Sequence, residues 1–226
     1  MNKFTNTTIR WLSGCLIFFV VACKNKPGYS SFVLTKEDSV LRAALIKRAY
    51  TQIAGIKGTI QNGDLITRTG NDFTSESLRN LNQRDRTYSH CGIASIEHDS
   101  IFIYHALGGD FNPTQKIRRD LMEDFVEPYN NKGIGIYRFG VADSMKRNFA
   151  LAAKHLFDLG IMFDMDFDLQ TDDRMYCAEF VCKSLAKASG DQLVFTHSHI
   201  KQFEFIGVDD IFLHPLCKRQ AQLVYR

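Results

Sequence analysis

Two β-rich runs, His90–Glu97 (HCGIASIE) and Ser100–Leu107 (SIFIYHAL), are separated by only His98 and Asp99. A gap that short between extended runs predicts an antiparallel hairpin, and the register of a hairpin follows from its loop. If Glu97 and Ser100 close the turn, Gly92 faces His105 and Leu107 faces His90. The two histidines then lie on one face as diagonal neighbours, roughly 7–8 Å apart at Cα and within side-chain reach. A glycine opposite His105 leaves room for the rings to meet. A one-residue change in the loop would destroy this alignment.

Other segments fall into place around the hairpin. Residues 37–56 carry Val40, Leu41, Ala44, Leu45 and Ala49 at helical spacing. Gly63-Asp64 is a turn signal before a short strand at 65–68. Residues 74–83 read as a surface helix capped by Thr74 or Ser75. Residues 117–126 read as a short amphipathic segment, and Gly133–Phe139 as a third strand. Residues 142–159 form a helix with Phe149, Ala152, His155, Leu156 and Leu159 along one face and Gly160 as its stop. Phe163–Asp168 alternates strictly, as a half-exposed strand or extended edge does. Residues 174–189 form another helix, with Ala178, Val181, Leu185 and Ala188 as its stripe and Asp172 and Asp173 as cap and first-turn acids. A last strand is expected around Ala221–Tyr225. The pattern predicts an α+β domain, a twisted antiparallel sheet with packed helices.

At 226 residues, 45% hydrophobic and 23% charged, the chain has ordinary globular composition. That excludes disorder, collagen and coiled coil. A net charge of +3 without a clustered basic face argues against nucleic acid as a partner. The first 22 residues stand apart. Trp11–Ala22 is an apolar run about the length of a signal-peptide core and short for a membrane span. Val20-Val21-Ala22-Cys23 resembles a bacterial lipobox, whose cysteine becomes the lipidated first residue. The chain is thus expected to comprise a signal peptide (1–22), a lipidated tether (23–36) and one domain (37–226). Cys23 would anchor it to a membrane of the cell envelope. The signal contains Lys3 and Arg10 and no acid, so its removal takes the formal charge from +3 to +1.

Cys91, Cys177, Cys182 and Cys217 remain in the domain, with no C-x-x-C spacing. That argues against a zinc ribbon or thioredoxin-type site. Cys177 falls in the first turn of the helix at 174–189. Unpaired N–H groups and the helix dipole there favour a thiolate and can bind an oxyanion. A thiol nucleophile needs a base, and the base an orienting group. Cys177, His90 and His105 supply one of each. Cys91 and Cys182 are expected in the core. The acidic run Asp164–Asp173 fails as a calcium loop, since Leu169 and Met175 stand where glycine and glutamate are required. His197 and His199, two apart as on one face of a strand, have a spacing that a metal site can use, but they read first as a surface loop.

Three segments together resemble a known family: Gly63-Asp64-Leu65-Ile66, Tyr88-Ser89-His90-Cys91-Gly92-Ile93, and Asp172-Asp173-Arg174-Met175-Tyr176-Cys177-Ala178-Glu179. They are similar, in order and separation, to the motifs of the permuted papain-like amidases (YaeF/YiiX-like) of the NlpC-type superfamily. The resemblance spans about residues 60–225. It implies a permuted papain-like fold, His90 as general base, Cys177 as nucleophile and His105 as orienting residue where relatives often carry Glu. It places Tyr88, Tyr176 and Asp64 as substrate-binding candidates. It implies a cysteine hydrolase needing no metal or organic cofactor, which cleaves an amide of an acyl-amino acid or cell-wall peptide through a thioester. Its alternatives are a lipid acyltransferase or phospholipase using the same pair, and a silent envelope-binding module.

Overall fold

A computed structural model describes residues 35–109 and 112–225. The signal peptide, Cys23 and nearly all of the expected tether lie outside the described residues. Along the chain come α1 (Lys36–Lys57), β1 (Leu65–Gly70), α2 (Phe73–Leu81), β2 (His90–Glu97) and β3 (Ser100–His105). They are followed by β4 (Arg118–Leu121), α3 (Met122–Phe125), β5 (Asn131–Phe139), α4 (Asp143–Asp158) and α5 (Cys177–Ala188). The chain closes with β6 (Ser198–Ile200), β7 (Phe203–Phe205), α6 (Val208–Phe212) and β8 (Cys217–Val224).

Six strands make one antiparallel sheet in the order β4-β3-β2-β1-β5-β8, and β6 and β7 form a separate small hairpin. Side chains alternate across the sheet, so each face buries its own set. One face holds Leu65, Cys91, Ile93, Tyr104, Tyr137 and Phe139, packed under α4 and α5. The other holds Ile66, Ala94, Ile103, Ile134 and Ile136, packed under Ala49 and Ile53 of α1 and Met122 and Phe125 of α3. Among the described residues no helix is long and apolar enough to cross a membrane.

The β2–β3 hairpin has the expected register, with Glu97 opposite Ser100 and Ile93 opposite Tyr104. His98 adopts φ +54° to close it, doing without the glycine such turns favour. Gly92 sits against β3 so closely that a Cβ there would lie 2.6 Å from Ile103 Cγ2 and 2.9 Å from His105 Cβ.

Several expectations need correction. Residues 117–126 are not one amphipathic segment but β4 followed by the turn of α3. Phe163–Asp168 is not a strand. There the buried Asp164 carboxylate accepts the N–H groups of Asp166 and Asp168, and Phe167 adopts φ +55°. Local side-chain bonds of this kind compete with a ladder. α2 is capped by Asp72, which accepts from Ser75 N, rather than by Thr74 or Ser75. In α1 the stripe shifts to Ala49 and Ile53, while Val40 and Leu41 are exposed. In α4 the buried side is Phe149, Ala150, Ala153 and Leu156, with Leu159 exposed. α5 begins at Cys177 with Tyr176 as N-cap, so Asp172 and Asp173 precede it.

Candidate active site

The hairpin register and alternation bring Arg68 on β1, His90 on β2, His105 on β3 and Asp120 on β4 to one face of the sheet. Arg68 pairs directly with His90, His105 with Arg118, and Ile103 with Asp120. The side chains connect in a row. His90 Nε2 lies 2.9 Å from His105 Nδ1, with the rings edge to face. His105 Nε2 lies 3.0 Å from Asp120 Oδ2. Arg118 also holds Asp120, at 2.8 Å from Oδ2. The Phe125 ring supports the group, with ring centroids 5.6 Å from His90 and 4.8 Å from His105.

This row sets the tautomers. An ionised Asp120 can only accept, so His105 carries its proton on Nε2. His105 Nδ1 is then an acceptor, and His90 must donate to it from Nε2. The ring nitrogen of His90 that remains for a proton is Nδ1. Burial raises the Asp120 carboxyl, but the bonds from His105 and Arg118 outweigh it and hold the group below its ordinary range. Burial pushes His90 well below the usual imidazole range, helped by the charge of Arg68. Burial likewise takes His105 to about 4, against the pull of Asp120. Both imidazoles are therefore neutral at pH 7.

Cys177 opens α5, which packs over β2. The groups that act most on its thiol are the Cys91 thiol and the backbone of Cys91 and Ala178, rather than an imidazole. The Cys91 thiol bond is the largest influence and lowers the Cys177 pKa against the opposing effect of burial. Arg68 lowers it further. Cys91 is raised by burial and by this neighbour. His90 and Cys91 point to opposite faces, and β2 begins at His90. Thiol and imidazole thus flank the start of one strand, with Arg68 acting on both. The site is enclosed: His105 is fully buried, His90 is 6% exposed and Cys177 8%.

α5 is held at this point by Glu179, whose carboxylate accepts the Tyr176 N–H at 3.2 Å and pairs with Lys183 at 2.9 Å. Burial lifts Glu179 to about 7 despite Lys183. Lys183 in turn binds Asp172 and the Thr171 carbonyl.

The three expected substrate-binding residues do not reach this site as open groups. Asp64 is fully buried and bidentate to Arg138, at 2.7 Å in both contacts. Tyr88 is 1% exposed and accepts from the Tyr137 hydroxyl at 3.2 Å. The Tyr176 hydroxyl accepts the Ile206 N–H at 2.7 Å, and its ring lies against Phe167. All three side chains are engaged in contacts inside the fold. Cys91 and Cys182 are buried as expected, although Cys91 also touches the nucleophile candidate. His197 pairs with Glu204 and His199 is exposed on β6. Among the described residues no group of three or more His, Cys, Asp or Glu side chains is arranged to hold a metal ion.

Arg68 and Asp120 were not apparent from the sequence. The signal for Asp120 was the alternation Arg118-x-Asp120 before Met122, which the amphipathic reading hid. For Arg68 it was a charge inside an otherwise buried strand.

A family model described as permuted papain-like amidase enzyme, YaeF/YiiX, C92 family, matches residues 59–206. The fold is also similar to the crystal structure of metalloprotein yiiX from Escherichia coli O157:H7, with a TM-score of 0.59 and 19% identity. That likeness covers 73% of this chain and 98% of the other. No curated protein matches.

Proposed function

The chain belongs to the permuted papain-like amidase enzymes, and from that premise we propose that it hydrolyses an amide of an acyl-amino acid or cell-wall peptide through a thioester on Cys177. The observation that carries this reading is the Asp120–His105–His90 row, which ends at the first residue of β2, the strand that the Cys177-bearing helix α5 packs over.

His90 Nδ1 takes the thiol proton as the sulfur attacks the carbonyl carbon. His105 keeps the ring in the required tautomer, and Asp120 supplies through His105 the negative charge that steadies the imidazolium. The carbonyl oxygen gains the charge and is bound by first-turn N–H groups of α5, including that of Cys177. Collapse breaks the C–N bond, and His90 returns its proton to the leaving amine. Water, deprotonated by the same nitrogen, then attacks the thioester and releases the acid and the thiol. Neutral imidazoles at rest suit a base that must accept a proton. This reading needs no metal.

Cys23 attaches the enzyme to an envelope membrane as a lipoprotein, a reading supported by the lipobox-like Val20–Cys23 after the apolar run. Labelling with a lipid-anchor precursor tests it, because Cys23→Ser should lose the label.

The catalytic reading is tested by alkylating the domain with a neutral thiol reagent from pH 5 to 9 and by assaying N-acyl-amino acid hydrolysis. One site should react well below pH 8, and Cys177→Ala should abolish both labelling and hydrolysis. His90→Ala should slow both by about 10²-fold or more. Labelling that follows an ordinary thiol and ignores His90→Ala overturns it.

A further inference from the structure

The half-buried arginines of this domain nearly all meet a carboxylate. Arg138 meets Asp64, Arg119 meets Glu97, and Arg118 meets Asp120. Arg68 is the exception beside the site. Its Nη1 donates to the Phe125 carbonyl at 2.8 Å, and its guanidinium carbon lies 4.6 Å over the Phe125 ring. Among the described residues no carboxylate stands within ion-pair distance of it. Asp120, the carboxylate whose charge acts on it most, is already held by Arg118 and His105. A carbonyl and a ring face leave most of its five N–H donors unused, and these are not sealed from solvent.

A half-buried guanidinium whose N–H groups still reach solvent, with no carboxylate of the fold to hold them, is free to receive a ligand anion. The position is specific. Arg68 is the cross-strand partner of His90 on the same sheet face, and its charge reaches Cys177 as well. A guanidinium placed over a ring keeps a planar fork of N–H donors that matches a carboxylate.

We propose that Arg68 is the docking point for a carboxylate of the substrate, so that the amide cleaved carries a free carboxylate close to the scissile bond, as an N-acyl amino acid does. This rests on the hydrolase reading and narrows its substrate class. Arg68 draws the carboxylate into the enclosed site and orients the adjacent carbonyl toward Cys177.

The test separates the two readings by alkylating Cys177 with iodoacetate, which carries the carboxylate, and with neutral iodoacetamide. The wild type should favour iodoacetate relative to a free thiol peptide. The ratio of the two rates should fall about tenfold in Arg68→Gln, fall less in Arg68→Lys, which keeps the charge but not the fork, and fall with added salt in the wild type. In hydrolysis, the wild type should prefer an N-acyl amino acid over its carboxamide, and Arg68→Gln should lose that preference through KM. An unchanged ratio in Arg68→Gln overturns the carboxylate site while leaving Cys177 as nucleophile. Failure of both reagents to modify Cys177 overturns the hydrolase reading itself. If Arg68→Gln does not fold, the salt dependence and Arg68→Lys decide, and a wild-type ratio equal to that of the free thiol and insensitive to salt counts against the proposal.

Discussion

His105 Nε2 donates to Asp120 Oδ2 at 3.0 Å across the β3–β4 pair. That bond gives a histidine in the orienting position the carboxylate it lacks by itself. Asp120→Asn should keep the shape but remove the charge and admit the wrong tautomer. We expect kcat/KM to fall about tenfold or more, short of the ~10²–10⁴ that acid–base catalysis contributes as a whole. A pH–rate profile checks the cause, since the acid limb should also move. A loss of rate with an unaltered profile would mean that Asp120 only supports the fold.

The two imidazoles make stability depend on pH. Burial takes His105 from an ordinary 6.5 to about 4, and His90 is depressed as well. Between these values the unfolded chain binds protons that the folded chain does not. The histidine contribution is therefore full above about pH 6.5 and declines as pH falls toward 4, by about 1.4 kcal/mol for each unit of depression. Glu179, lifted to about 7, binds a proton on folding and works in the opposite sense over the same window, so the readout is the difference between wild type and His105→Phe. Denaturant melts at pH 7, 6, 5 and 4 should show His105→Phe losing less stability than wild type as pH falls. The same pH dependence in both proteins would contradict a neutral buried His105.

Gly92 is where the hairpin admits the His90–His105 contact. A methyl there would press on Ile103, the Tyr104 carbonyl and the His105 Cβ. Gly92→Ala should cost about 1–3 kcal/mol and displace His105 from His90. Thermal melting and alkylation of Cys177 should both respond. Normal alkylation with reduced stability would place the strain elsewhere.

Asp64 serves as a buried anchor for Arg138. Removing the cation in Arg138→Met leaves a carboxylate without its partner, and burial already raises the Asp64 pKa. The expected loss is about 3–5 kcal/mol, with KM for any substrate unchanged in the molecules that remain folded. A raised KM at normal stability would return Asp64 to substrate binding.

Much of this architecture follows from local rules. A two-residue gap between His90–Glu97 and Ser100–Leu107 determines the hairpin register, and the register places His90 beside His105 before any other strand is known. Helical periodicity and first-turn chemistry locate Cys177 at the start of a helix, although Tyr176 rather than an aspartate caps it. These features depend on neighbours in the chain, which is why sequence reveals them. Asp120 and Arg68 belong to the site because β4 pairs with β3 and β1 with β2 in a particular register. The strand pairing that brings in β4 crosses a loop, so no local spacing encodes it. Tyr88, Asp64 and Tyr176 share motifs with reactive residues yet turn into the interior, because alternation and packing, rather than proximity along the chain, decide which side chains face the site. The sequence by itself determined the nucleophile candidate and its two histidines. Only the tertiary structure decided which carboxylate completes the row and which cation stands unpaired beside it.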